Sequence, residues 1–499
     1  MEVGLFGEVL SIILSLEGML LLLLGTAIGI MGGVLPGIST VMTVAFVATF
    51  TFGMNPLLAV LLLAATHKSA AYAAAIPAIL LNIPGTPGSA ASVLDGYPMA
   101  KKGEGSLALS IIAITSFFGN TVGVVLFLVF MPLFIPIAMN FLSYEMFWIS
   151  IFGVVICAQL SKGDFVKGLI SAVMGIILGT VGLDPLYGAM RLTMNQSFLN
   201  AGIPLIPAMV GLFGMSEVFS GVAKANPEPI KVVAGKLFRW KEWWPHKWMA
   251  FRVSVIGFIV GILPGVGPNV AAFMGYDHAK SSSKNKDEFG QGSVEGLIGA
   301  ETGNNSMAPG SYACLLTLGV PGDASTAVVL GVLLVHGLQP GATFMNNNPA
   351  WVYTIALGML ITGVMFLILG SILNRAFVKC LQVPLPVTLS VVTLLCIIGS
   401  FASANRITDV YLMFFFGLVG WLMTKTGFAI APLILGLILS GGMIDPFFRR
   451  GLLAARGDFT VFLTRPISAI LVCLLLFTIF RGFVSPVLKA RKAKSNTTQ

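Results

Sequence analysis

The chain has 499 residues, of which 56% are hydrophobic and only 10% are charged, against roughly 25% charged in an ordinary soluble domain. This excludes a soluble globular protein and leaves room for many membrane spans of about 20 apolar residues each. The net charge of +9 does not point to nucleic acid, because Lys and Arg gather in loops and the tail, as the positive-inside bias requires.

In chain order, apolar runs predict helices near 11–34, 40–65, 106–137, 145–160, 165–183 and 201–222. A second set is expected near 250–277, 294–318, 322–338, 351–373, 385–401, 408–423, 428–444 and 465–486. No basic residue precedes the first run, Glu2 and Glu8 being the only charges before it, and many spans follow, so it reads as a first transmembrane helix and not as a cleaved signal. Segment 69–94 is apolar but interrupted by Pro77, Pro84, Gly85, Pro87 and Gly88; it cannot be one straight helix. Interval 223–252 carries Lys224, Lys231, Lys236, Arg239, Lys241, Lys247 and Arg252, with Trp240, Trp243, Trp244 and Trp248 among them. Such a stretch suits a cytoplasmic segment lying at the headgroups; an ordinary solvated linker is the alternative. His67 and Lys68 stand between two apolar runs, either attracting an anion or snorkelling to the interface. Cys157, Cys314, Cys380, Cys396 and Cys473 lie scattered in apolar runs without metal or disulfide spacing.

The halves match in order. Leu35-Pro36-Gly37-Ile38-Ser39 reads against Leu263-Pro264-Gly265-Val266-Gly267. Ile83-Pro84-Gly85-Thr86-Pro87-Gly88-Ser89 reads against Val320-Pro321-Gly322-Asp323-Ala324-Ser325-Thr326, and Asp184-Pro185 against Asp445-Pro446. The fold expected is an all-α polytopic membrane protein of about 10–14 transmembrane segments. It is divided into a first transmembrane repeat (1–222), a basic Trp-rich cytoplasmic linker (223–252), a second transmembrane repeat (253–486) and a basic cytoplasmic tail (487–499). Each repeat holds Pro-Gly-broken, re-entrant or discontinuous helices. A duplicated bundle in which the Pro-Gly pairs are mere kinks is the alternative.

Broken segments at membrane depth survive only where protein or a water-filled cavity surrounds them, and paired ones point to a transporter's binding site. The hydroxyls and free N–H groups after each Pro-Gly favour an anion. Substrate-binding candidates are Asn82, Gly85, Thr86 and Ser89 in the first half, and Asn304, Asn305, Gly322, Ser325 and Thr326 in the second. Close helix packing is the competing explanation for the small residues. Freed carbonyls upstream suit a cation. Ion-binding or coupling candidates are Asp323, Gly37, Ser39, Gly265, Gly267 and Asn269, although Asp323 equally suits a helix cap. Glu301, beside Asn304, carries the same ambiguity. His67 and Lys68 are candidates for specificity.

At these residues the chain resembles the large, TctA-like membrane subunit of the tripartite tricarboxylate transporters. The resemblance runs from about Gly25 to Pro446, and several stretches of sequence carry it. These are Leu80-Leu81-Asn82-Ile83-Pro84-Gly85-Thr86-Pro87, Leu94-Asp95-Gly96-Tyr97-Pro98-Met99-Ala100-Lys101, Gly211 to Val218, Leu315 to Gly322, and His336-Gly337-Leu338-Gln339-Pro340-Gly341. It implies the cytoplasmic (inner) membrane of a prokaryote, a small TctB-like membrane subunit and an extracytoplasmic TctC-like solute-binding protein. It also implies uptake of organic carboxylates driven by an ion gradient, commonly Na⁺, with no cofactor, nucleic acid or nucleotide. The stretch from His67 to Pro77 departs from the family pattern, losing a Gly-Gly-Ser/Thr run and gaining two basic-type residues, which bears on the substrate. A channel or passive pore for small anions is the second reading, which accumulation dependent on Na⁺ or H⁺ would exclude. A membrane-embedded enzyme needs a pair of acids, a nucleophile with its base, or metal ligands, and no such cluster stands out.

Overall fold

The computed structural model describes residues 3–35, 37–160, 165–184, 187–221, 239–372 and 383–496. Pro36, Pro185, Cys380 and most of the basic linker, from 223 to 238, lie outside the described residues. Elsewhere the chain is almost wholly helical, with one short hairpin in which Gly182 pairs with Arg191 and Leu183 with Met190. Seven helices are long and apolar enough to cross a membrane, and five shorter apolar helices accompany them, among the described residues. The chain is a multi-pass membrane protein.

It forms two compact units, each drawing on both halves of the sequence: Met1–Pro136 with Ile206–Trp421, and Ile137–Leu205 with Leu422–Gln499. The first unit opens with α1 (Val3–Ile13), α2 (Leu16–Val34), α3 (Thr40–Ala48), α4 (Pro56–Ala73), α5 (Ala75–Leu81), α6 (Ala90–Met99) and α7 (Gly105–Ala138). The expected span at 40–65 is thus two helices. Thr49 and Thr51 turn their hydroxyls onto the carbonyls of Phe46 and Ala48. Asn55 then caps α4, with Pro56 in its first turn, where a missing N–H is harmless. His67 and Lys68 accordingly lie inside α4, not between two runs, and both are buried; neither snorkels.

The second unit holds α8 (Ser143–Leu160), α9 (Phe165–Gly179) and the hairpin. The first unit resumes with α10 (Leu205–Met209), a π-helical turn, and α11 (Ser216–Gly221). After the linker come α12 (Trp240–Trp243), α13 (Lys247–Ile262), α14 (Gly267–Ser282), α15 (Val294–Leu318), α16 (Ala324–Val335), α17 (Ala342–Asn347) and α18 (Pro349–Ile372). The end of the expected linker is therefore helical. Trp243 leaves the interface for the core, its Nε1 donating to Thr115 Oγ1 at 2.9 Å, whereas Trp244 and Trp248 stay exposed. The chain continues through α19 (Leu385–Ala402) and α20 (Ile407–Thr426). α21 (Ile430–Leu439), α22 (Asp445–Ala454), α23 (Val461–Thr464) and α24 (Pro466–Asn496) complete the second unit.

In unit 1, α2 packs on α4 and α13 packs on α15. The contact is backbone to backbone, because small residues let membrane helices approach closely. A Cβ on Gly29 would lie 2.5 Å from the Thr66 carbonyl oxygen, and one on Gly257 2.7 Å from that of Gly303. Gly29 and Gly257 stand equally far before Pro36 and Pro264, as Thr66 and Gly303 do before Pro84 and Pro321. The halves also cross over: α3 packs on α16, and α6 on α14 and α15. An apolar core of Ile76, Ile79, Ile111, Ile112, Leu297 and Ile298 binds α5, α7 and α15.

Unit 2 shows the same reciprocity. A Cβ on Gly175 of α9 would strike the Leu433 carbonyl of α21, and one on Gly436 the Ala172 carbonyl. Ser440 Oγ donates to the Ile176 carbonyl at 2.7 Å along the same helix pair.

Candidate functional site

The first broken segment begins where α5 stops. Asn82 adopts the left-handed conformation at φ 59°, and the Ile83 N–H bonds back to the Pro77 carbonyl at 3.3 Å. Asn tolerates this conformation better than most residues with a side chain, which is why it ends helices. Its side chain is exposed, not buried as its candidacy assumed. Gly85 closes the turn, its N–H reaching the Ala74 carbonyl. Thr86 and Ser89 then cap one another: Thr86 N–H donates to Ser89 Oγ at 3.1 Å and Ser89 N–H to Thr86 Oγ1 at 3.2 Å.

A helix of the other half covers this cap. Gly88 lies against the Asn304 side chain and Pro268, leaving no space for a Cβ. Asn304 is buried beside the Glu301 carboxylate, and its Nδ2 makes no well-formed hydrogen bond. Nearby on α14, Asn269 Oδ1 is also buried without a donor. Gly265 (φ 74°) and Gly267 (φ 77°) carry the chain through the break between α13 and α14. Asn304 and Asn269 are thus brought to the N-terminal end of α6 with polar atoms that no well-formed hydrogen bond satisfies.

Asn305 is differently placed. Its Nδ2 donates to Ser116 Oγ at 2.9 Å and to Glu301 Oε2 at 3.1 Å. Glu301 is fully buried and also accepts from Ser92 Oγ at 2.5 Å. Asn305 is therefore an internal strut between α7 and α15. Ser92 reads from sequence only as a first-turn hydroxyl, and Ser116 has no signal at all, since a serine in an apolar helix does not announce its partner. Glu301 was visible as a carboxylate inside the apolar run 294–318.

The second broken segment repeats the design with different chemistry. Gly319 ends α15 at φ 70°. Gly322 fits against the Gly261 carbonyl and Ser311, and the Gly265 N–H donates to the Pro321 carbonyl at 3.3 Å, joining two breaks of the second half. Asp323 caps α16: Oδ1 accepts from the Thr326 N–H at 2.7 Å, and the Asp323 N–H donates to Thr326 Oγ1 at 3.1 Å. This capping box satisfies two donors reciprocally. Ser325 is buried beside it. The other oxygen, Oδ2, lies 3.5 Å from His67 Nε2. From the first half come Gly37 (φ 87°) and Ser39, whose Oγ caps α3 by accepting from the Met42 N–H at 3.2 Å.

Lys68, one residue on, donates from Nζ to the Asn305 carbonyl at 2.6 Å. The residues that sequence assigned to specificity thus both reach the second half, His67 at the cap of its broken segment and Lys68 at α15. The first segment presents neutral donors at a helix start, suited to an anion; the second presents a carboxylate and a histidine, suited to a cation.

Comparison with known proteins agrees with a transport role. The family model described as "Tripartite tricarboxylate transporter TctA family" matches residues 19–435. Two proteins of Agrobacterium vitis are similar. The chain is 33% identical to the "Uncharacterized 52.8 kDa protein in TAR-I ttuC' 3'region" over 447 residues, 89% of each chain. It is 36% identical to the "Uncharacterized protein in TAR-II ttuC' 3'region" over 213 residues, 43% of this chain and 88% of the relative. No solved structure matches. With a multi-pass helical fold, paired helix breaks and a family match over most of its length, the chain belongs to the TctA family of tripartite tricarboxylate transporters.

Proposed function

We propose that this chain is the large membrane subunit of a binding-protein-dependent secondary transporter that imports organic carboxylates of the tricarboxylate or dicarboxylate type, driven by a Na⁺ or H⁺ gradient. The observation that carries the site is Asn304: a buried amide whose Nδ2 makes no well-formed hydrogen bond, set against Gly88 at the start of α6. A substrate carboxylate there would accept from Asn304 Nδ2 and from the first N–H groups of α6, where the helix dipole favours negative charge. Thr86 and Ser89, now bonded to each other, would open to reach it.

The two halves act as repeats, each bringing one break to the other half's helices, as in carriers built from duplicated units. The working partners are a small TctB-like membrane subunit and an extracytoplasmic TctC-like solute-binding protein. The setting is the cytoplasmic membrane of a prokaryote, and no nucleotide or cofactor takes part.

Uptake of radiolabelled carboxylates by cells expressing all three subunits tests this reading. Asn304→Ala is expected to raise the half-saturating concentration about tenfold, the loss of one hydrogen bond to a charged group, with unchanged membrane abundance. Unchanged kinetics would remove Asn304 from the site. Uptake that only equilibrates and never accumulates would favour a passive pore.

A further inference from the structure

Four ionisable side chains lie buried between the supports of the two breaks in unit 1. Lys68 and Glu301 are 0% exposed, His67 3% and Asp323 7%. They form a row: Glu301 to the Asn305 side chain, the Asn305 carbonyl to Lys68, and then neighbouring His67 to Asp323.

Lys68 has a local cause. Pro309 lies inside α15. It lacks an N–H, so the carbonyl one turn earlier, that of Asn305, loses its helical donor. Lys68 Nζ takes that place and finds no other acceptor among the described residues. Carbonyls freed in this way are what ligate the coupling cation in transporters with broken helices. Here a side-chain amine of the chain itself already occupies that carbonyl. The pair also holds matching places in the two halves: Lys68 and Asn305 are 237 residues apart, as Pro84 and Pro321 are.

Charge counting gives the next step. With both carboxylates ionised and Lys68 protonated, the row carries one negative charge in a medium where an unpaired charge is costly. One more cation restores neutrality. A proton shared by His67 Nε2 and Asp323 Oδ2 does so without further ligands, over the 3.5 Å that separates them. Sodium needs several oxygen ligands, and three oxygens of these segments already accept a donor. Asp323 Oδ1 holds Thr326, the Pro321 carbonyl holds Gly265, and the Asn305 carbonyl holds Lys68.

The titratable neighbours of His67 are few. α16 brings Asp323, α15 brings Tyr312 with its ring 6.0 Å away and Glu301 farther off, and α4 itself brings Lys68 and Tyr72. Of the other helices packed on α4, α3 and α5 carry no titratable side chain, α2 has only Glu17 in its first turn, and α18 only Tyr353.

We propose that the coupling ion is a proton, bound at the His67–Asp323 pair, with the Lys68 side chain standing where another carrier would bind a metal cation. This rests on the reading of the chain as an ion-coupled carboxylate carrier.

The tripartite complex in proteoliposomes tests it, with labelled citrate, succinate and tartrate as probes. Exchange of external for internal label needs no ion gradient and identifies a carried acid. An acid-outside pH gradient in Na⁺-free buffer is expected to drive its accumulation, and a Na⁺ gradient at equal pH is not. Asp323→Asn, which keeps the helix cap, is expected to lose about tenfold or more of that accumulation at equal reconstituted amount. Accumulation driven by Na⁺ alone, or an unaltered response to the pH gradient in Asp323→Asn, overturns the proposal. If no acid exchanges, the carrier reading falls, and a substrate-free measurement still decides the proton site. Infrared difference spectra between acid and alkaline pH should then show a buried protonation band that NaCl leaves unchanged. Asp323→Asn and His67→Gln should each remove or shift it. A missing band, or one displaced by NaCl, counts against the proton.

Discussion

Arg449 Nη1 donates to Asp184 Oδ2 over 2.7 Å in unit 2. Arg191 Nη2 reaches Asp184 Oδ1 at 2.8 Å and Asp445 Oδ2 at 3.0 Å, and Arg449 Nε reaches Asp445 Oδ1 at 2.9 Å. Two guanidiniums and two carboxylates thus close a ring, and its carboxylates are the two Asp-Pro acids that match between the halves. Removing one member leaves its neighbours short of partners. Arg449→Ala is expected to cost about 1–3 kcal/mol, read as a lower Tm of the detergent-solubilised protein. The double variant with Asp184→Asn should lose less than the two single losses combined. Strict additivity would show that the ring contributes nothing as a unit.

Asp95 is expected to be a structural pin. Its Oδ1 accepts the N–H groups of Gly290, Gly292 and Ser293, each at 2.8 Å, and Ser293 in turn caps α15. Asp95→Ala strands three donors at the start of the helix that carries Glu301 and Asn304. A loss of about 3 kcal/mol follows from hydrogen bonds to a charged group. Hydrogen exchange should quicken at 290–296; unchanged protection there would refute the pin.

Asn82 separates shape from chemistry. If its role is to hold the left-handed turn at φ 59°, Asn82→Gly should transport normally. Asn82→Ala should then lose about 1 kcal/mol of stability, the cost of a Cβ in that conformation. Loss of uptake in Asn82→Gly, with the fold intact, would return the amide to the substrate site.

Close helix approach makes Gly257 intolerant. Gly257→Ala would press a methyl on the Gly303 carbonyl and the Ser306 hydroxyl. Overpacking of this kind costs about 1–3 kcal/mol. A reduced monodisperse yield is expected, whereas Gly7→Ala, facing open space, should behave like the parent chain.

Much of the fold was legible where the signal is local. Leu263-Pro264-Gly265 and Ile83-Pro84-Gly85 interrupt helices because Pro lacks a donor and Gly admits positive φ, and both interruptions stand where expected. Asp323 reads as a cap from its place before a hydroxyl three residues on, and the cap is present. What stayed hidden depends on partners far along the chain. Lys68 could equally attract an anion or snorkel to the interface by sequence, because nothing nearby announces Pro309 or the carbonyl it frees. Asn305 resembled Asn304, yet one is tied to Ser116 and the other is not. The π-helical turns at Val210–Met215 and Ser440–Ile444 had no sequence cue, since a single extra residue in a helix leaves its apolar pattern nearly unchanged. The turn at 49–55 was missed because its threonines are apolar enough to sit within a span.

The reciprocal glycines of α9 and α21 bear on how this part of the molecule can change. Gly175 is set against the Leu433 carbonyl and Gly436 against the Ala172 carbonyl. Sliding one helix along the other would replace each hydrogen atom by the side chain of a neighbouring position and drive it into main chain. The seam therefore works as a key in its slot. α9 and α21 must travel as one rigid piece through the transport cycle, and any hinge in unit 2 must lie outside that pair.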